Sequence, residues 1–380
     1  MMRIYLDHAA TTAMRPEASD AFRDASGYNA SSLHAEGRAA RARLDVARET
    51  VARIVGAAPR EIVFTGSGSE ADMLGVVGAA RALGARGRHV VTTAIEHHAV
   101  LHAVDVLERD GWTVTRLPVD ERGLVGREAF AAALRPDTAL ASVMLANNEI
   151  GTIQPVAALA KIARERNVVF HSDAIQTPVW MPVRVDDLGV DLLSLSGHKF
   201  EGPKGVGMLF VRRGTPVEPI VVGGGQEFGF RAGTENVGGI AAFAAALELA
   251  DAERAATAER VRGLRDRLEE GVASAIERVR IVARGAPRLP NIASIAFEDA
   301  ASDALLIRLD LAGIAASAGS ACAAGTPEPS HVVAAIGVPE GYRNGIIRFS
   351  LGRATTEADI DEVLQRLPAA VAGVRDPLPV

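Results

Sequence analysis

The chain's 380 residues exceed the roughly 250–300 at which a single hydrophobic core stops growing, so we expect two domains. Hydrophobic residues make up 48% and charged residues 23% of the chain, and the formal net charge of -6 gives no support to binding of a polyanion such as nucleic acid. The single cysteine, Cys322, excludes an internal disulfide and a four-cysteine zinc site.

Neither the first residues nor the apolar stretches suggest export or membrane insertion. Residues 1–12 lack the basic and apolar regions of an export signal. The longest apolar stretch, 238–250, is too short to span a bilayer and is interrupted by Glu248. We therefore predict a cytoplasmic protein with no membrane contact and no direct contact with nucleic acid.

Short β-branched runs alternate with helical patterns from about residue 60 to residue 212. This alternation is typical of βαβ units around a mainly parallel sheet. The first predicted strand is followed by a helix at 69–83. The predicted strands are 61–65, 88–94, 112–119, 138–146, 167–173, 191–197 and 205–213.

Beyond residue 235 the pattern changes. The stretch 235–277 is rich in alanine, glutamate and arginine, which predicts one or two long helices leading into a second domain. Short apolar runs from residue 279 onward, and a helical pattern at 356–371, predict a small α+β unit. The sequence has no internal repeat of about 20–50 residues, which argues against solenoids and propellers.

The turn TGSGSE at 65–70 joins the first predicted strand to its helix. Ligands of open parallel sheets bind at the carboxyl ends of the strands. The backbone N–H groups of this turn, with the hydroxyls of Ser67 and Ser69, suit a phosphate. The turn lacks the spacing of a dinucleotide site or a P-loop, and an ordinary helix cap is the open alternative.

Asp173 ends the apolar strand at 167–173, and Gln176 follows three residues later. A carboxylate in that position needs a cation or several hydrogen-bond donors, because burying it unpaired is costly. A protonated pyridine nitrogen is one suitable partner. The open alternative is an aspartate that caps the next turn.

The segment SLSGHKFEGPKG at 194–205 places Ser196, His198 and Lys199 at a strand end. Desolvation there lowers the pKa of a lysine amine, and a neutral amine can form a Schiff base. The alternative is a surface lysine in a loop rich in glycine and proline. Pyridoxal phosphate needs a turn that binds its phosphate, a partner for its pyridine nitrogen and an amine. The predicted sheet offers candidates for all three.

His97 and His98 follow the predicted strand at 88–94. An imidazole at this point could lie over an aromatic cofactor ring and also move protons. His98 and His102 are four residues apart on a predicted helix, so binding of a metal ion by these two side chains is a formal alternative. The sequence has no HExxH pattern or third ligand nearby, and we predict no metal site.

Small residues surround Cys322 in the stretch ASAGSACAAGTPEPS at 316–330. A free cysteine is most often a buried, inert side chain, and that alternative stays open. The flanking glycines and prolines instead indicate an exposed, mobile loop. A thiol on such a loop could reach into a site and withdraw again.

Motifs along almost the whole chain resemble those of NifS/IscS-type cysteine desulfurases, which are pyridoxal-phosphate enzymes. The matching segments are YLDHAATT (5–12), NASSLH (29–34), EIVFTGSGSEAD (61–72), EHHAV (96–100), NNEIGTIQP (147–155), HSDAIQ (171–176), SLSGHKFEGPKGVG (194–207), GGGQE (223–227), RAGTENV (231–237), SAGSAC (317–322) and IRFSLGR (347–353). The resemblance implies an α/β protein of the pyridoxal-phosphate-dependent transferase fold type I. The large domain, 14–255, would hold a mainly parallel seven-stranded sheet between helices. Residues 1–13 and 256–380 would form a smaller α+β domain that carries the cysteine loop.

The resemblance also implies roles for single residues around the cofactor ring. Lys199 would form the Schiff base and move the substrate α-proton. Asp173 would pair with the pyridinium nitrogen, and Gln176 would approach the ring hydroxyl. His97 would stack on the ring and assist proton transfer.

Further residues would hold the phosphate and the substrate. The implied phosphate ligands are Gly68, Ser69, Ser196, His198 and, from the neighbouring subunit of a homodimer, Thr234. Asn148 would contact both cofactor and substrate, and Arg348 would bind the substrate carboxylate as a fork. Cys322 would be the nucleophile.

The implied reaction converts L-cysteine to L-alanine and leaves the sulfur as a persulfide on Cys322, from which it passes to an acceptor protein. The sequence does not choose among iron-sulfur assembly, tRNA or thio-cofactor sulfuration and DNA phosphorothioation. A selenocysteine lyase, using the same residues, and a catalytically idle partner subunit are the alternatives.

The chain departs from the family pattern at four positions. Ser69 stands where many relatives have threonine, which keeps the hydroxyl. Met73 stands where asparagine is common, and Phe228 and Phe230 stand where arginine is frequent. Because of these changes, the sequence does not predict the structure of the cleft rim or the partners that bind there.

Overall fold

The computed structural model describes residues 3–319 and 330–376. Within these ranges the strands form three sheets of two, three and seven strands. The strands are β1 (Ile4–Tyr5), β2 (Ile62–Thr65), β3 (His89–Thr93), β4 (Thr113–Leu117), β5 (Thr138–Ser142), β6 (Val169–Asp173), β7 (Leu192–Ser196), β8 (Gly207–Val211), β9 (Val279–Ile281), β10 (Ile292–Phe297), β11 (Ile314–Ala315) and β12 (Ile346–Ser350).

Helices cover the sheets and connect the strands. They are α1 (Pro16–Ala25), α2 (Ala35–Val55), α3 (Gly68–Met73), α4 (Ala79–Ala82), α5 (His98–Arg109), α6 (Arg127–Ala133), α7 (Val156–Glu165), α8 (Val185–Leu188), α9 (Val237–Ala275), α10 (Ser302–Leu311), α11 (His331–Ala335), α12 (Glu340–Arg343) and α13 (Glu357–Arg375). A π-helical segment, Leu74–Gly78, joins α3 to α4. Among the described helices, none combines the length and the apolar character needed to cross a membrane.

The seven-stranded sheet has the order β2-β8-β7-β6-β5-β3-β4. Strands β3 to β7 pair in parallel, whereas β8 is antiparallel to both of its neighbours. Each of the seven predicted strands is present, within a few residues of its predicted bounds. The predicted α/β fold with a mainly parallel sheet is confirmed.

Both faces of this sheet are buried, which is why its strands read as continuous apolar runs. Successive side chains of a strand point to opposite faces. Leu193 and Leu195 of β7 join the core that includes residues of α2 and α9, while Leu192 joins a second core with residues of α5. The described helices therefore cover both faces of the sheet and leave its strand ends accessible.

The three-stranded sheet, in the order β12-β10-β9, belongs to a separate core. That core also contains the second half of α9, with Val261 and Leu268, and residues of α10 and α13. Helix α9 runs without a break from Val237 to Ala275. The predicted domain boundary at residue 255 falls inside this helix, and the domain limits stay a prediction.

The elements before residue 61 were not predicted from the sequence. Helix α2 begins at a cap in which His34 Nδ1 accepts a hydrogen bond from the Gly37 N–H, and ends at Gly56 in the left-handed conformation (φ 75°). Strand β1 pairs in parallel with β11, and a separate bridge joins Asp7 to Ser350 of β12. This bridge joins the N-terminal segment to the three-stranded sheet, and the Thr12 N–H joins it to the loop after β7 by donating to the His198 backbone oxygen at 3.0 Å.

A buried ion pair holds the loop that carries two of the family departures. Arg48 of α2 donates to Glu227 at 2.7 Å, and Glu227 also accepts the Phe64 N–H of β2 at 2.9 Å. The guanidinium of Arg48 lies 4.9 Å from the Phe228 ring centroid, and that of Arg60 lies 5.7 Å away. Phe228, at φ 58°, thus packs against cations of its own chain.

We predict that Gly207→Ala destabilises the fold by about 1–3 kcal/mol. A Cβ on Gly207 would lie 2.3 Å from the Ser67 carbonyl oxygen, and backbone atoms cannot yield as a flexible side chain can. Urea unfolding measures the change. Gly263→Ala in α9 is the control, because a Cβ there meets no atom within 4 Å. Equal free energies of unfolding for wild type and Gly207→Ala would contradict the prediction.

Candidate active site

A cavity of about 410 Å³ opens at the carboxyl ends of β6 and β7. It brings together most of the residues singled out in the sequence. Those lining it are Gly68, Ser69, His97, Asn148, Asp173, Gln176, Ser196, His198, Lys199 and Arg348. Thr234 is exposed and does not line the cavity of its own chain. Cys322 lies outside the described residues.

The turn between β2 and α3 forms one wall of the cavity. Ser67 caps α3 by accepting the Glu70 N–H at 3.1 Å, so the predicted helix cap is present. Gly68 and Ser69, the first residues of the helix, still face the cavity. The capping bond uses Ser67 and leaves Gly68 and Ser69 at the cavity wall, so the cap does not exclude a phosphate site, which stays a prediction.

Asp173 reaches the cavity because β6 pairs in parallel with β7, with Asp173 opposite Ser194. Its Oδ1 accepts the Ile175 N–H at 2.9 Å, which is the local turn bond expected of a capping aspartate. The carboxyl also lines the cavity. Burial raises the pKa of Asp173 to about 6, although the Ile175 N–H and the Lys199 amine oppose that shift.

Lys199 is half-buried and lines the cavity, so it is not a surface lysine. Its Nζ donates to the backbone oxygens of Ala9 at 2.5 Å and Ala10 at 2.8 Å. Gln176 Nε2 donates to the same Ala9 oxygen at 3.0 Å. The N-terminal segment is thus part of the site, a role that sequence reasoning missed although the motif YLDHAATT marks it.

His97 caps α5, with its Nδ1 accepting the Ala99 N–H at 3.1 Å. In the neutral ring the proton is therefore assigned to Nε2. Burial lowers the pKa of His97 to about 4, and the Lys199 charge adds to this effect. His97 is consequently a neutral imidazole at pH 7.

His98, from the EHHAV motif, lies in a small group of rings with His102 and His331. His98 lies 5.4 Å from His102 and 4.8 Å from His331, measured between ring centroids. Burial, followed by the neighbouring imidazoles, lowers the pKa of His98. His331 is further held by a hydrogen bond between its Nε2 and the Glu96 backbone oxygen at 2.9 Å.

Arg348 enters the cavity from β12 and is only 1% exposed. Its Nη1 donates to the Asn148 backbone oxygen and its Nη2 to Asp7 Oδ1, each at 2.8 Å. Its Nε has no hydrogen-bond partner among the described residues. The two predicted substrate residues, Asn148 and Arg348, are therefore in direct contact with each other.

Glu149 lies close to the residues on both sides of the segment that contains Cys322, Gly319 before it and Ser330 after it. Its Oε2 accepts the Ser330 hydroxyl at 2.6 Å. A Cβ on Gly319 would lie 2.6 Å from the same oxygen, and Gly319 has φ 97°. The sequence analysis did not select Glu149, whose only signal was its place in the NNEIGTIQP motif. Where Cys322 itself lies stays a prediction.

Asp72 is a second residue that sequence reasoning missed. Asp72, His97 and Asp173 have side-chain ligand atoms within 4.8 Å of one another, the one such group of three among the described residues. These residue types bind metal ions in other proteins. Because His97 and Asp173 line the cavity, we interpret the group as part of that cavity and not as a separate ion site.

Comparisons with known proteins agree along the chain. The family model described as Aminotransferase class-V matches residues 4–363. The "Cysteine desulfurase IscS" of Dictyoglomus turgidum is 45% identical over 375 residues, which cover 98% of this chain and 95% of that protein. A solved "NIFS-LIKE PROTEIN" superposes with a TM-score of 0.91 at 36% identity, covering 98% of this chain and 100% of the other. A structure described as SspA in complex with cysteine has a TM-score of 0.80 at 33% identity, covering 93% and 100%.

Pyridoxal 5'-phosphate is the cofactor of this family, and the cavity has the groups that it requires. Lys199 supplies an amine, Asp173 a buried carboxyl, and the β2–α3 turn supplies hydroxyl and backbone donors. Gly68 packs so closely that a Cβ would lie 2.5 Å from Ile175 Cδ1, so the backbone itself forms the wall. The chain belongs to the class-V aminotransferase family and, within it, to the cysteine desulfurases of the IscS and NifS type.

Proposed function

We propose that the protein converts L-cysteine to L-alanine and passes the sulfur through Cys322 to an acceptor protein, with pyridoxal phosphate held in the cavity around Lys199. One observation carries the proposal. The Lys199 amine and the buried Asp173 carboxyl line the same cavity of about 410 Å³, together with Arg348 and the hydroxyls of the β2–α3 turn. An amine, a carboxylate and anion donors are the three features that this cofactor needs.

Individual residues would hold the cofactor in place. Asp173 would keep a proton on the ring nitrogen, and Gln176 would orient towards the ring hydroxyl. The phosphate would be held by Gly68, Ser69, Ser196 and His198, with Thr234 of a neighbouring subunit completing the set. When bound, the ring accepts electron density from the substrate α-carbon once the α-proton has been removed.

Two side chains would move and hold protons. Lys199 Nζ would take the α-proton from the substrate, and the backbone oxygens of Ala9 and Ala10 hold Nζ at the cavity wall. His97 would lie over the ring as a neutral imidazole, because its pKa lies at about 4. Its assigned proton on Nε2 makes that atom a donor.

The substrate carboxylate would bind at Arg348 and Asn148. A guanidinium offers a planar pair of donors that matches a carboxylate. Arg348 Nε, which has no partner in the described part of the chain, leaves donor capacity beyond the bonds to Asn148 and Asp7. This contact would orient the substrate sulfur away from the carboxylate end.

Cys322 would then take the substrate sulfur as a nucleophile. Its thiolate forms an S–S bond while the carbon–sulfur bond of the substrate breaks, and the carbon skeleton leaves as L-alanine after protonation. The persulfide on Cys322 would be attacked by a thiol of the acceptor. The acceptor's identity, the homodimer and the cytoplasmic location stay predictions.

Replacing Lys199 tests the covalent link to the cofactor. We expect the purified protein to be yellow, and Lys199→Ala to lose the visible absorbance because no amine remains to bind the aldehyde. Absorbance spectroscopy after addition of pyridoxal phosphate measures this. Lys204→Ala is the matched control, since Lys204 lines the same cavity five residues away. A band that persists in Lys199→Ala, or that is lost equally in the control, would contradict the assignment.

Arg348→Lys tests the substrate carboxylate site. Losing one charge-assisted hydrogen bond of about 1.5–3 kcal/mol is expected to raise KM for L-cysteine by about tenfold or more. Steady-state alanine release measures KM. Arg353→Lys is the control, because Arg353 is 40% exposed and pairs with Glu201 at the surface. An unchanged KM in Arg348→Lys would reject the carboxylate role.

Cys322→Ala separates the proposed reaction from its alternatives. We expect alanine release from L-cysteine to collapse while the cofactor stays bound, because the nucleophile is gone but the cavity is intact. Assays of alanine and of cofactor absorbance measure the two effects. Equal turnover in the variant would reject the persulfide route. A wild type active only on selenocysteine would indicate a lyase, and one inactive on both substrates an idle partner subunit.

A further inference from the structure

Asp72 is a buried carboxyl to which the proposed reaction gives no role. It lies in α3 and is 0% exposed, and among the described residues neither oxygen makes a hydrogen bond of normal geometry, although the Ser194 hydroxyl interacts with it weakly enough to lower its pKa only in part. Its ligand atoms lie within 4.8 Å of those of Asp173 and His97. A fully buried, unpartnered carboxylate would be very costly, so its charge state needs an explanation.

The titratable groups around Asp72 do not supply a positive charge to it. His171 Nε2 lies 3.7 Å from Asp72 Oδ1, but burial lowers the pKa of His171 to about 3. His171 instead shares hydrogen bonds with the hydroxyls of Ser142 at 2.8 Å and Ser194 at 3.0 Å. His97 is neutral as well, since burial and the Lys199 charge lower its pKa to about 4.

The two other carboxyls that face Asp72 oppose its ionisation. Burial raises the pKa of Asp72 well above its usual range, Asp173 and Glu96 raise it further, and the nearby Ser194 hydroxyl offsets this only in part. Glu96 is itself buried, and its pKa is raised to about 8. Two carboxyls that share one buried site disfavour each other's ionisation.

The electrostatic surroundings decide which member of the pair is charged. Asp173 lies within the influence of the Lys199 amine and accepts the Ile175 N–H, and both interactions stabilise its ionised form. Asp72 has neither advantage. A positively charged ring nitrogen beside Asp173 would increase this difference.

We propose that Asp72 is a positioning residue that carries the proton of the Asp72–Asp173 pair, so that Asp173 alone presents a negative charge to the cofactor ring. This inference rests on the proposed role of Asp173. It assigns a charge of minus one to a site that contains two carboxyls. An uncharged Asp72 can also donate its proton to a hydrogen bond, which a carboxylate cannot do.

The pH dependence of stability gives the first test, with the full-length holoenzyme and Asp72→Asn. A carboxyl whose pKa is raised on folding favours the folded state below its unfolded pKa, and this benefit is lost as pH rises towards the folded pKa. Asn cannot ionise and escapes that loss. Between an ordinary carboxyl pKa and that of folded Asp72, the folded-to-unfolded ratio of Asp72→Asn should gain about tenfold over wild type per pH unit.

Thermal unfolding across pH 5–9 measures the difference in stability between wild type and Asp72→Asn as a difference in Tm. Glu96 is present in both proteins, so the part of its titration that does not depend on Asp72 cancels in the comparison. A Tm difference that widens as pH rises supports the proposal. Parallel curves for the two proteins would overturn it, because a purely structural change would shift Tm equally at every pH.

Infrared spectroscopy of the holoenzyme gives the second test. In a Glu96→Gln background at pH 7, the C=O band of protonated carboxylic acids should lose intensity in Asp72→Asn and keep it in Asp173→Asn. The opposite pattern would place the proton on Asp173 and overturn the proposal. If Asp72→Asn does not fold, carbon-13 labelling of aspartate in the Glu96→Gln, Asp173→Asn protein serves instead, where a shifted acid band supports the proposal and an unshifted one refutes it.

These readouts do not depend on turnover. If the enzyme lacked desulfurase activity but showed both signatures, the charge assignment would stand and the proposed function would fail. If alanine release were normal but both signatures were absent, only the role of Asp72 would fail.

Discussion

The parallel pairing of β6 with β7 is the constraint on which the site depends. It sets Asp173 opposite Ser194, so the carboxyl and the segment that leads to Lys199 leave the sheet at the same edge. Strand β8 then returns antiparallel to β7, so residues 197–206, which include Lys199, form the connection between these two neighbouring strands. Lys199 could not face Asp173 across one cavity if either pairing were shifted by a residue, because a one-residue slip turns every side chain to the opposite face.

Around this edge the protein excludes water from many polar groups and keeps most of them uncharged. Burial lowers the pKa values of His8, His97, His171 and His198. It raises those of Asp72, Asp173 and Glu96. The number of charges in the cavity is thus smaller than the number of titratable groups. A few fixed charges in a low-dielectric site act more strongly than the same charges would in water.

The cavity also depends on contacts between parts of the chain that are far apart in sequence. Arg348 comes from the three-stranded sheet, more than 170 residues from Asp173, and it bonds Asn148 and Asp7. The N-terminal segment contributes the carbonyl groups that hold Lys199 and Gln176. The long helix α9, which packs in both cores, ties these parts together. A cleft lined by both sheets can bind a cofactor against one of them and a substrate against the other.

The sequence by itself determined the class of fold and most of the cavity. Apolar runs of strand length predicted β2 to β8. Asp173 and Lys199 were predicted as site residues because they follow strand ends, where the ligands of parallel sheets bind. It assigned no role to Asp72, Glu149 or the carbonyls of Ala9 and Ala10, which lie within matching motifs but whose local patterns are those of ordinary helix and loop residues. Only the tertiary structure decided which buried charges face each other, since pKa values and hydrogen bonds depend on distances between residues that the linear pattern does not contain.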